Sequence, residues 1–99
     1  MENILPKTTE AKSSKSFSPR GGCCTIQVCG LATGETATIE VKNFDTGEFV
    51  EYVNACSQFD DKNNVLDIYN SFATYRVTKS VTADEIGIWL GGVETGSNR

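Results

Sequence analysis

The chain has 99 residues, of which 38% are hydrophobic, and it carries a formal net charge of −4 with no histidine. A domain of this size buries about 60–65% of the surface its unfolded chain exposes, so it is marginal alone and gains from a partner. The missing histidine removes the commonest general base and the commonest zinc ligand together, and the apolar runs are too short to span a bilayer.

Residues 1–22, MENILPKTTEAKSSKSFSPRGG, differ in composition from the rest. Ser, Thr, Lys, two prolines and a closing Gly pair offer little apolar surface to offset the entropy of ordering, which predicts an extended or flexible N-terminal arm. Lys7, Lys12, Lys15 and Arg20 against Glu2 and Glu10 give the arm +2, leaving five basic and eleven acidic side chains, or −6, for the remainder. Such an arm is either an unstructured tail or becomes ordered across a neighbouring subunit, with Ile4, Leu5 and Phe17 as apolar anchors and the four cations beside them. Ile4 and Leu5 before Pro6 fall far short of the apolar core of a signal peptide, so synthesis and assembly in the cytoplasm are expected.

The body is expected over residues 23–91. Cys24, Ile26 and Val28 alternate, and Gly30 to Gly34 then form a connection. In residues 36–42 Ala37, Ile39 and Val41 share one face while Thr36, Thr38, Glu40 and Lys42 share the other, the pattern of a half-buried strand. Phe44-Asp45-Thr46-Gly47 reads as a hairpin loop, with Gly47 in the left-handed position of a bulged turn. The return strand, residues 48–53, has two competing faces, Val50 with Tyr52 or Phe49 with Val53. Asp60-Asp61-Lys62-Asn63-Asn64 is a solvent loop, and residues 65–69 form a short strand with Leu66 and Ile68 as its core pair. Residues 71–90 hold two alternating runs, Ala73, Tyr75 and Val77, then Ile86, Ile88 and Leu90, expected to pair as a hairpin. Thr82-Ala83-Asp84-Glu85 between them matches a capping box and predicts a single helical turn. Residues 92–99 are expected to form a frayed tail. About six or seven short strands with turn signals every eight to twelve residues describe an all-β chain, a small antiparallel sandwich, with an open barrel as the runner-up.

Candidate chemistry is sparse. Asp45-Thr46-Gly47 is the triplet of aspartic proteases, whose mechanism needs two carboxylates sharing a proton in an enclosed loop. Here Glu48 follows it directly, and the hairpin reading takes precedence. Asp60-Asp61 and Asp84-Glu85 lack the alternating oxygen ligands of a calcium loop. Hydroxyl and thiol nucleophiles have no histidine to activate them, and the glycines after Leu90 lack the lysine of a phosphate loop. Neither an enzyme nor a cofactor is expected. Cys23, Cys24, Cys29 and Cys56 read as reduced structural thiols, Cys24 as a small core residue; a disulfide from Cys56 to the 23–29 strand is the alternative. A body with pI near 4.7 repels nucleic-acid phosphates. Trp89, out of phase with Ile88 and Leu90, points to the other face of its strand, either as an interface anchor or packed against Tyr52 or the arm. Arg76 and Thr74 would flank it if the last two strands pair.

The stretch TIQVCGLATGETATIEV, the Asp-x-Gly hairpin and TYRVTKSVTADEIGIWL resemble the small immunoglobulin-like β-sandwich proteins of tailed-bacteriophage structural modules, over residues 25–90. The resemblance implies a virion component without catalysis: a capsid decoration or cement subunit, a head fibre, or a tail or connector part. Its partners would be the major capsid protein or other virion subunits, in many copies per particle. A stand-alone module binding carbohydrate or protein is the reading of a different class.

Overall fold

Side-chain alternation sets the layers. The computed structural model describes residues 1–52 and 58–92 and contains nine strands and, among those residues, no helix. They are β1 (Glu2–Thr8), β2 (Lys12–Ser13), β3 (Cys24–Gln27), β4 (Ala37–Lys42), β5 (Phe49–Glu51), β6 (Gln58–Phe59), β7 (Val65–Ile68), β8 (Tyr75–Lys79) and β9 (Ile86–Gly92). One sheet has the order β1-β9-β3-β7, the other β2-β8-β4-β5, with β6 following β5 along the same edge of β4. All pairings are antiparallel, and the two sheets form a β-sandwich. The Cys56 disulfide alternative, the Val53 face of the β5 strand and residues 93–99 of the tail lie outside the described residues; Gly92 itself belongs to β9.

The inner faces meet in one cluster. Cys24, Ile26, Ile86, Ile88 and Leu90 come from the first sheet, and Ala37, Ile39, Phe59, Tyr75 and Val77 from the second, all essentially removed from solvent. Each large side chain buried in this way stabilises the fold by about 1.5–3 kcal/mol. The same period of two carries Lys79 inward, where it is 1% exposed. Its ammonium donates to the carbonyls of Glu10 at 2.7 Å and Ser80 at 2.9 Å, so its stem completes the apolar layer and its head closes one end. Burial pushes the Lys79 pKa down, opposed by the nearby charges of Glu35 and Glu10.

Three expectations need correction. The runs at 73–77 and 86–90 do not pair: β8 hydrogen-bonds β4 while β9 hydrogen-bonds β3 and β1, so the chain crosses from one sheet to the other between them. Alternation defines a buried face but carries no information on which strand lies alongside. At the crossing Thr82 donates from Oγ1 to the Asp84 carbonyl, and the Ala83 amide donates to Glu35; this bend takes the place of the expected helical turn.

The third correction concerns residues 1–22, which are part of the sandwich and not an arm outside it. β1 pairs with β9, β2 with β8, and Phe17 bridges to Tyr75. Ile4, Leu5 and Phe17 are 3%, 5% and 8% exposed in the chain's own core. Two neighbours can both turn inward because the register shifts between Asn3 and Leu5, a bulge that lets consecutive residues share a side. The Asn3 amide holds it by donating to the carbonyls of Leu5 at 2.8 Å and Ile88 at 3.1 Å. Gly87 permits the approach, since a Cβ there would lie 3.1 Å from the Leu5 carbonyl oxygen. Farther on, buried Ser14 donates its backbone N–H to Val77 at 2.7 Å and accepts from the Val77 amide at its hydroxyl, tying the segment to β8.

Ile4→Ala removes packing from a closed core and is expected to cost about 2–5 kcal/mol in urea unfolding, whereas exposed Lys12→Ala stays within about 0.5 kcal/mol. A dangling arm would give the same small value for both.

Candidate partner-binding site

Five of the nine aromatic side chains, Phe44, Tyr52, Tyr69, Phe72 and Tyr75, line one open pocket of about 600 Å³ at the end of the sandwich between β5 and β7. Local turn chemistry places Phe44, Tyr69 and Phe72, while Tyr75 belongs to β8 and Tyr52 follows β5. Asn43 accepts at Oδ1 from the amides of Asp45 at 2.7 Å and Thr46 at 3.2 Å, and Gly47 takes φ 77°, which closes the β4–β5 hairpin as its sequence predicts. Phe44 is thereby held at the tip, 86% exposed. Asn70, at φ 54°, reverses the chain after β7, and its amide donates to Gly22 while Ser71 accepts from the Gly21 amide. That pinned loop leaves Tyr69 and Phe72 at 65% and 78% exposure. Beneath them Tyr52 meets Tyr75 edge-on at 5.7 Å, and the Tyr75 hydroxyl lies 2.6 Å from Ser71 Oγ.

Asp67 is the one charged side chain among the described lining residues. Its carboxylate accepts from Thr25 Oγ1 at 2.7 Å and from the Tyr69 hydroxyl at 3.2 Å. The Asp67 charge holds the Tyr69 phenol above its usual pKa, and the hydrogen bond adds to the effect. A concave, mostly apolar surface rich in aromatic rings, with a few polar groups, is suited to anchoring a partner: rigid rings give large contact area at small entropic cost.

The residues selected from sequence divide into two groups. Ile4, Leu5 and Phe17 are consumed by the chain's own core and are not available to a partner, which corrects their assignment as anchors. Lys7, Lys12, Lys15 and Arg20 are exposed, with Lys15 ion-paired to Glu2. Trp89 sits on the outer face of the first sheet between Asn3 and Gln27, 37% exposed, as its phase predicts. Tyr52 lies elsewhere, in the pocket, and Arg76 and Thr74 do not flank the indole. Arg76 belongs to the second sheet, bonded to Glu40 at 2.6 Å with its guanidinium 4.3 Å above the Phe49 ring. Phe49 thus faces outward, and Val50, opposite Val41 but 45% exposed at the sheet edge, shares its phase with Tyr52, which packs against the core. Asp45 stands in the exposed hairpin turn.

Sequence reading missed the pocket because its rings come from three separate turns and strands. The available signal was placement: Phe44 and Phe72 are large aromatics inside turn-forming stretches, where packing alone gives them no reason to be. No family model, no curated protein and no solved structure matches this chain.

Asp67→Asn should bring the Tyr69 phenol back towards the ordinary tyrosine range. The difference is read as an earlier phenolate transition in the ultraviolet pH titration of the variant, and an unchanged titration would mean the carboxylate does not govern the ring.

Proposed function

We propose that this chain is a non-enzymatic structural subunit of a tailed-phage virion, attached to the capsid by protein–protein contacts and assembled in the host cytoplasm. The immunoglobulin-like character of the sandwich belongs to the same proposal, since it comes from the resemblance of residues 25–90 to that group. The supporting observation is the aromatic pocket: Phe44, Tyr69 and Phe72 stand mostly in solvent around a concavity in a chain too small to bury much else. Exposed rings at a concave site are the residue types that dominate interface energetics. The attachment surface is accordingly this end of the sandwich, with Trp89 as a second contact on the outer sheet face, and not a trailing arm.

Repetition explains how a small contact surface suffices. Many weak contacts fixed by shell symmetry add up, and a subunit that binds the assembled shell stabilises it against disassembly. A stand-alone carbohydrate module is the second reading, favoured by the amide and carboxylate of Asn70 and Asp67 among the rings.

The Phe44→Ser, Phe72→Ser double variant is expected to fold, since both rings are exposed, yet to be lost from purified particles in a sedimentation assay. Particles lacking it should disassemble at lower temperature. Full retention of the variant on particles sinks the pocket as the attachment site, and glycan-array binding by the isolated chain would favour the second reading.

A further inference from the structure

The charge asymmetry along the sequence becomes an asymmetry across the molecule. β1 and β2 are terminal strands of the two sheets on the same side, linked where the Lys15 amide donates to the Ile4 carbonyl. That side carries exposed Lys7, Lys12, Lys15 and Arg20, and Arg20 lies close to Glu2 and Lys15 beside Leu90. The opposite terminal strands are β5 with β6 in one sheet and β7 in the other, and the aromatic pocket is lined there by Tyr52, which follows β5, and by Leu66, Asp67 and Ile68 of β7. Residues 43–52 and 58–67, on that side, hold Asp45, Glu48, Glu51, Asp60, Asp61 and Asp67 against Lys62 alone. The basic side is +2 and the acidic side −5 by sequence.

We infer that the chain associates with further copies of itself head to tail, the basic β1/β2 side of one copy seating on the acidic, aromatic β5/β7 side of the next. A second copy is an occupant of complementary charge. It brings four cations to a surface of six carboxylates, and exposed rings of Phe44 and Tyr69 add faces on which lysine or arginine can rest. The contact is made by side chains and not by a shared ladder, because Pro6 removes a backbone donor from β1 and charged residues line the edges. Each copy uses its two unlike sides once, so the association propagates into a ring or a row and does not stop at a twofold dimer. This deepens the proposed partner-binding role, but it needs no virion component.

The test is sedimentation of the isolated full chain at low and high salt. At low salt the mean mass should rise with concentration above the 10.7 kDa of one copy. At about 1 M salt, where the screening length falls to about 3 Å, it should return to that of a single copy. The Lys12→Glu, Arg20→Glu variant, whose basic side becomes negative, and the Asp45→Lys, Glu48→Lys, Glu51→Lys variant, whose acidic side becomes positive, should each stay single at low salt with unchanged melting. Mixed in equal amounts they should assemble again, since each then meets an opposite surface on the other. A wild type that stays single at every concentration, or assembly indifferent to salt and to both reversals, overturns the inference. Assembly with no attachment to particles would leave it standing while removing the virion reading.

Discussion

The structure depends on the burial of one alternating set of side chains, Ile86, Ile88 and Leu90 on β9, against another, Tyr75 and Val77 on β8, from opposite sheets. Apolar faces of this kind are stable only in pairs, and each sheet supplies the cover the other needs. Because β9 lies inside its sheet, between β1 and β3, it also organises its layer: the N-terminal strand and the Cys24–Gln27 strand are both registered on it. Remove the contact across the layers and neither sheet retains a reason to exist in so short a chain.

A second device compensates for size. The chain recruits its least promising segment into the core, using a bulge fixed by Asn3 and an inward lysine capped by carbonyls to extend the apolar layer to its ends. The polar groups that enter with these residues are satisfied by hydrogen bonds: Ser14 by Val77 and Lys15, Lys79 by Glu10 and Ser80. Burying them without partners would cost more than the added apolar contact contributes. The N-terminal segment therefore gives up its role as a free arm, and its cations are fixed in place along one side.

Fixed charges and fixed rings give the molecule its surface character. Interactions of exposed residues are individually weak, but a rigid sandwich presents them at constant spacing, so they add wherever a partner repeats the pattern. The aromatic pocket with its acidic surround and the basic side opposite are consequences of the same architecture. Turns at one end display Phe44, Tyr69 and Phe72, and turns and terminal strands together display the charges.

The all-strand character was determined by the order of residues alone. Period-two alternation at Cys24, Ile26 and Val28, at Ala37 and Ile39, and at Ile86, Ile88 and Leu90 names the buried faces, and Asn43 to Gly47 names a turn, because both are local properties of the backbone. Trp89 on the outer face follows from the same phase. Tertiary structure alone decided the rest: that β8 and β9 lie in different sheets, that Ile4 and Leu5 are buried together through a bulge, and that five scattered rings meet in one pocket. These are pairings between segments far apart in the chain, and they are settled by which surfaces cover one another, an energy that no single stretch of sequence contains.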